Sequence, residues 1–399
     1  MLGNPDAATA SPVPDSPPPA PWIQLRAVLH EPNRLKRPAA PCDNMPQSIV
    51  VPPGKLPRRT RHRARGDVHR DPSLRGWTGG HFGFERRVIR GAKRTAEFVA
   101  AYSGVTRALI SRTPPATVIL AYHNVVPRGE PLAGELPLHI RQELFSDHLD
   151  LVLESHDVVP LREVAFGETT GRRPRAAITF DDAYRGTLTA GLEELRQRRL
   201  PATIFVPPGL LGTPGFWWDL LAPAGGGVLD SLLREKALGS ELKGRQDRIM
   251  AWAAAQGFRV KALPPHAKPA TESELVETSD QLVSWGCHTW SHPNLVALSP
   301  DEVDGELKRS MEWLETRLAQ TNDWLAYPYG LFNEAVAAAA HQIFRGALMV
   351  DGGLTQRRGR WIGRPSRIPR LQVPSGLSVN GLGLRLAGLL GARGTNGEA

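Results

Sequence analysis

From about residue 115 onward the chain alternates between short continuous apolar runs and longer segments whose apolar residues recur at helical spacing. The runs Thr117 to Tyr122, Ala176 to Phe180, Ala202 to Val206, Trp324 to Tyr327 and Ala347 to Val350 read as buried strands. Between them, Phe145, His148, Leu149, Leu151, Val152 and Leu153 mark one helix, and Leu188, Leu192 and Leu195 another. A short strand is predicted at Val158 to Leu161, and Thr271 to Trp285 reads as a helix followed by a strand. Ser299-Pro300-Asp301-Glu302 combines an N-cap, a proline at the first helical position and a reciprocal glutamate. Val303, Leu307, Met311, Leu314 and Leu318 then follow on one face, which predicts a helix. Strand, helix, strand at this spacing implies parallel pairing with the helices outside, an α/β fold.

Before residue 115 the pattern fails. Residues 1–80 are rich in Pro, Ala and Arg and lack the apolar side chains that offset chain entropy, which predicts a disordered leader. In 81–114, Phe84, Val88, Ile89, Phe98, Val99, Tyr102, Val105 and Leu109 alternate with Arg and Lys. That spacing reads as a basic amphipathic helical segment, either lying on a membrane surface or packing on the domain. Charge changes the picture here: of a formal +9, 15 basic against 4 acidic residues fall between Lys55 and Arg112, so the remainder is near neutral. Three readings of the basic leader stand side by side: a segment for anionic lipid or nucleic acid, a solvated linker, or a start placed too early, Met45 being the one later methionine before the motifs. No nucleic-acid partner is expected of the globular part; peripheral membrane association through the leader is one expectation. The 399 residues, 41% hydrophobic, suffice for one large core. No apolar run is long enough to predict a membrane span, and no secretory signal is evident. Two cysteines, Cys42 and Cys287, are too few for a disulfide framework and are expected reduced. These features together lead us to expect a cytoplasmic protein, or one peripheral to the inner face of the membrane.

The candidate chemistry begins where the run Ala176 to Phe180 stops on Asp181 and Asp182. In parallel α/β folds that end of a strand faces the ligand crevice. Adjacent carboxylates raise each other's pKa unless a cation neutralises one of them, so the pair asks for a metal. About a hundred residues on, His288 and His292 lie four apart in His288-Thr289-Trp290-Ser291-His292. Two imidazoles and a carboxylate are a zinc-type donor set that leaves positions open for water and substrate. His-x-x-x-His also arises on ordinary surface turns, and the spacing alone does not choose. His123, ending the first apolar run, is either a ligand or proton carrier or a structural histidine. Tyr327-Pro328-Tyr329-Gly330 predicts a rigid turn of the kind that aims a backbone N–H into a cleft.

Thr179-Phe180-Asp181-Asp182, His288 to His292 and Tyr327 to Gly330 resemble, in order, the first three motifs of the polysaccharide deacetylase family, the carbohydrate esterases with the nodulation-deacetylase homology domain. Ile119 to His123 resembles the opening strand of its exopolysaccharide branch, Leu200 to Val206 the next strand, and Ile368-Pro369-Arg370-Leu371-Gln372-Val373 the arginine-bearing closing strand. The resemblance spans 115–373 and implies a distorted barrel of about seven β/α units. The motifs lie further apart than in compact members, which implies a helical insertion at about 213–270, with a Gly-rich C-terminal tail at 374–399.

The function implied is metal-dependent removal of acetyl groups from N-acetylated sugars of a polysaccharide or glycan precursor. Asp182, His288 and His292 would hold a divalent metal, zinc by preference. Asp181 would be the general base, Arg370 its partner, and a backbone N–H near Tyr329 an oxyanion donor. Two departures stand out: Ala183 occupies a position usually held by glycine, and no His follows His341, so the late Leu-x-His motif that supplies a general acid is absent. His123 is the candidate to replace it. The alternatives are an O-acetyl esterase acting on the same class of substrate, or an inactive glycan-binding domain.

Overall fold

The structure is a computed structural model that describes residues 117–165, 173–278, 280–354, 356–357, 360–361 and 364–388. The expected disordered leader and amphipathic helix lie outside these residues. Seven strands make the frame: β1 (Val118–Tyr122), β2 (Arg175–Phe180), β3 (Ala202–Val206), β4 (Val283–Cys287), β5 (Thr321–Ala326), β6 (Gly346–Gly352) and β7 (Ile368–Gln372). They pair in the order β1-β7-β6-β5-β4-β3-β2, and β1 pairs β2 to close the ring. Every ladder is parallel, with Leu120 opposite Ile178 across the closing seam and Thr179 opposite Thr203 in the next. The fold is therefore the closed seven-stranded α/β barrel that the resemblance implies.

Period-two alternation divides the strand residues between two cores. Ile119, Ala177, Phe205, Trp324, Leu348 and Ile368 fill the barrel interior. Their neighbours Leu120, Ile178, Ile204, Trp285, Leu325 and Leu371 face outward and pack with the helices. The helix Pro300–Arg317 carries the expected capping box, with Ser299 and Glu302 exchanging hydrogen bonds, and buries Val303, Leu307 and Leu314. The short strand predicted at Val158 to Leu161 ends earlier: Asp157–Val158 pairs with β2, and Leu161–Ala165 is a helix that packs Leu161 and Val164 against the interior core. Pro160 supplies the reason, because it has no N–H to continue a ladder.

Beyond Pro374, in the segment read as a tail, Val379–Leu386 forms a helix capped by Ser378, with Leu382, Leu384 and Leu386 buried. The 213–270 segment contains the helices Trp217–Leu220, Ser231–Leu238 and Gln246–Ala255. They share a core of their own around Phe216, Trp217, Trp218 and Ile249, joined by Tyr184 from the barrel. Among the described residues no helix is long and apolar enough to cross a membrane.

Candidate active site

The chemistry gathers where the strands end. β2 runs directly into Asp181 and Asp182, β4 into His288, β5 into the Tyr327 to Gly330 turn, and β1 into His123, while Arg370 lies within β7. Two of these strands carry register shifts at the site, between Trp285 and Cys287 in β4 and between Ile368 and Arg370 in β7. Such irregularities re-aim side chains beside active sites.

The loops are conformationally costly. Asp182 (φ 73°), Ala183 (φ 54°), Thr289 (φ 62°), His292 (φ 54°) and Tyr329 (φ 56°) all adopt left-handed backbone, a region that penalises residues with a Cβ. Four of the five fall in the three motif segments, and Ala183 directly follows the first of them. Local bonds hold these turns: the Asp181 N–H donates to Tyr122 O (3.0 Å), and the His292 N–H to Thr289 Oγ1 (3.1 Å).

Asp182 Oδ1 lies 3.3 Å from His288 Nε2 and 3.2 Å from His292 Nε2, and the two imidazole nitrogens are 3.1 Å apart. All three residues are buried. A tetrahedral ion bound at 2.0–2.2 Å by N and O ligands keeps those ligands roughly 3.3 Å apart, so the observed triangle fits zinc. Asp182 Oδ1 has no hydrogen-bond donor of its own. The His288 Nδ1–H donates to Ala326 O (2.8 Å), which leaves Nε2 bare for a cation. These residues therefore fit a divalent metal. Burial works to raise the Asp182 carboxyl, but the two imidazoles beside it outweigh that and hold its pKa well below the usual carboxylate range.

Asp181 faces a different partner. Arg370 Nη1 and Nη2 donate to its two carboxylate oxygens at 2.8 and 2.7 Å. Arg370 is itself fully buried, with Nε donating to Met349 O (2.6 Å) and Nη1 also to Thr179 Oγ1 (3.2 Å). Burial again acts to raise Asp181, and the Arg370 charge together with His288 overcomes it, so the carboxyl stays ionised. His123 is half-buried and feels the charges of Asp181, Asp182, Arg370 and His288, with burial the main influence lowering its pKa. The Tyr329 ring packs edge-on against His292 at 4.5 Å, and its hydroxyl accepts from Trp217 Nε1 (2.9 Å).

The structure thus assembles Asp181, Asp182, His288, His292, Arg370, His123 and Tyr329 at one end of the barrel. Sequence reasoning missed Thr179 as a support for Arg370. In Phe216-Trp217-Trp218-Asp219 the sequence leaves the adjacent tryptophans open between stacking on sugar faces and core packing; both lie in a buried core, and Trp217 bonds Tyr329 while Trp218 packs on His292. Tyr184, three residues past Asp181, was the available signal.

In this closed parallel barrel two adjacent acids and two imidazoles converge at the strand ends, and Asp182, His288 and His292 are placed so that they could hold a metal ion. Residues 168–344 match the family model for polysaccharide deacetylase. No curated protein matches the chain in sequence. Among solved structures, the chain is similar to a deacetylase of Streptococcus pyogenes, PplD, in complex with acetate (18% identity, 68% of this chain and 97% of that one, TM-score 0.46). It is also similar to IcaB from Ammonifex degensii (17%, 69% and 98%, 0.46) and to a de-N-acetylase from Aggregatibacter actinomycetemcomitans (16%, 67% and 99%, 0.47).

Proposed function

We propose that this deacetylase hydrolyses the acetamido group of N-acetylated sugars in a polysaccharide or glycan precursor and depends on a divalent metal, zinc by preference, held by Asp182, His288 and His292. The observation that carries the reading is the triangle of three bare ligand atoms beside an ionised carboxylate clamped by a buried arginine. A divalent ion there supplies Lewis acidity toward water and toward the acetyl carbonyl.

The chain's own groups do the rest. Asp181, ionised and locked in one orientation by Arg370, accepts a proton from the attacking water. The Tyr329 amide is assigned to the oxyanion that develops as the carbonyl carbon becomes tetrahedral. Breaking the C–N bond requires that a proton reach the departing amine. His123, neutral at rest because of its burial, is assigned as the relay: it takes up the proton that Asp181 accepted from water and delivers it to the amine, which returns both groups to their resting state. Acetate and a free amine result, and one water is consumed.

The test is acetate release from chitin oligomers, peptidoglycan fragments and O-acetylated sugars, with metal-loaded protein, chelated protein and Asp181→Asn compared. Release from N-acetylated substrates that disappears in both controls is the expected result. Release confined to O-acetylated sugars, or undiminished by chelation, would overturn the reading.

A further inference from the structure

The two histidines of the proposed metal site are held in different ways. His288 is fixed by the hydrogen bond from its Nδ1–H to Ala326 O (2.8 Å). His292 Nδ1 is buried and has no hydrogen-bond partner. Metal-binding imidazoles are ordinarily oriented by a bond from the second ring nitrogen. His292 lacks one, so its ring plane is set by packing. Its ring neighbours are His288 at 4.6 Å, Tyr329 at 4.5 Å and Trp218 at 4.8 Å.

Trp218 belongs to the 213–270 segment and is itself tied down. Its Nε1–H donates to Tyr184 Oη (2.8 Å), and the Tyr184 hydroxyl donates to Asp219 Oδ2 (2.7 Å). Asp219 Oδ1 accepts from the Glu135 N–H (2.8 Å) and from His139 Nε2 (2.9 Å). All of these side chains are buried. Tyr184 also sits two residues beyond Asp182, directly after the left-handed pair Asp182 and Ala183. One line of hydrogen bonds therefore connects the acid turn to the aromatic wall of His292, and its anchor is a carboxylate from the inserted segment.

We infer that Tyr184, Trp218 and Asp219 are positioning residues for the metal site: Asp219 anchors Tyr184, Tyr184 locks Trp218, and Trp218 sets the plane of the otherwise unbonded His292. The 213–270 segment is then part of the site and not an appendage. This inference rests on the metal reading above.

Tyr184→Phe is the most direct test, because it keeps the ring and deletes only the bridging hydroxyl. Full-length protein is stripped of metal and titrated with Co²⁺, following affinity by competition and the ligand-field spectrum in the visible range; melting of the metal-free protein is followed in parallel. Outer partners of metal ligands are worth about 10–100-fold in affinity, so Tyr184→Phe and Trp218→Phe should weaken Co²⁺ binding by roughly tenfold and alter the spectrum. Trp252→Phe, on the same segment but away from His292, should leave both unchanged. A merely structural role would lower the melting temperature while leaving affinity and spectrum as in the wild type, and that result overturns the inference. If Tyr184→Phe does not fold, Trp218→Phe decides on the same criteria. Absence of Co²⁺ binding by the wild type would instead sink the metal reading, and the inference with it.

Discussion

Arg370 and Asp181 form a two-pronged ion pair, 2.8 and 2.7 Å, with the guanidinium fully buried inside the barrel and a second row of contacts to Met349 O and Thr179 Oγ1. Because burial alone would raise the carboxyl, its ionisation depends on that partner. Arg370→Gln should therefore raise the Asp181 pKa and move the acidic limb of the pH–rate profile upward. Leaving a buried charge unpaired should also cost about 3–5 kcal/mol of stability. Arg370→Lys cannot reproduce the fork and should be only partly better. An unmoved acidic limb in Arg370→Gln would show that Asp181 is not the group titrating there.

Asp181 and Asp182 are neighbours in sequence but have different partners, so their variants should separate cleanly. Asp181→Asn should lower kcat by roughly 10²–10⁴, the usual worth of a general base, while metal content stays near that of the wild type. Asp182→Asn and His288→Ala should lose metal and activity together. Metal analysis of purified variants, set beside acetate release, distinguishes the two patterns; equal metal loss in all three would contradict the division of roles.

His123 ends β1 in the field of both acids. As proton carrier to the amine, its replacement by Ala should cut kcat by roughly 10²–10⁴ with little change in KM. The loss should shrink for substrates with a better leaving group, which need less help from an acid. Full turnover and an unaltered pH profile in His123→Ala would remove it from the mechanism.

Ala183 adopts φ 54° directly after the acid pair, at a position where family resemblance leads one to expect glycine. A left-handed residue with a Cβ costs roughly 1–2 kcal/mol, and glycine returns about 0.5–1 kcal/mol of that through its freer unfolded chain. Ala183→Gly should therefore stabilise the protein by up to about 1 kcal/mol without lowering activity. Ala183→Val should destabilise it, since a branched Cβ fits that region worst. Thermal melts of the two variants should move in opposite directions.

The barrel and the reacting groups were legible because each is written locally. Ala176 to Phe180 is apolar without interruption until the chain reaches Asp181, and the two imidazoles lie within five residues of each other. What holds these groups was not legible. Asp219 meets Glu135 and His139 about 80 residues away in the chain, and Trp218 meets His292 from the far side of β4, so no local pattern announces either contact. The helix Val379–Leu386 was hidden for another reason. Gly381 and Gly383 lower its intrinsic propensity, and burial of Leu382, Leu384 and Leu386 outweighs that only once the barrel exists.

His148 ties that last segment to the barrel and makes its docking sensitive to pH. The imidazole lies on the helix Gln142–Ser155, fully buried, with Nε2 donating to Leu377 O (3.0 Å) just ahead of the C-terminal helix. Burial pushes its pKa down from 6.5 to about 4. Above pH 6.5 the ring is neutral in folded and unfolded chains alike, and the full stability is present. Between pH 6.5 and 4 the unfolded chain takes up a proton that the folded chain refuses, so stability falls as pH falls, by about 3 kcal/mol over the window. His148→Gln should lose about 1 kcal/mol at pH 7 through a poorer hydrogen bond, yet its stability should decline less steeply on acidification. The two curves should cross near pH 5.5 to 6, where the wild type has given up about 1 kcal/mol. Denaturant melts at half-unit pH intervals provide the comparison, and parallel curves across that window would rule out His148 as the source of the acid sensitivity.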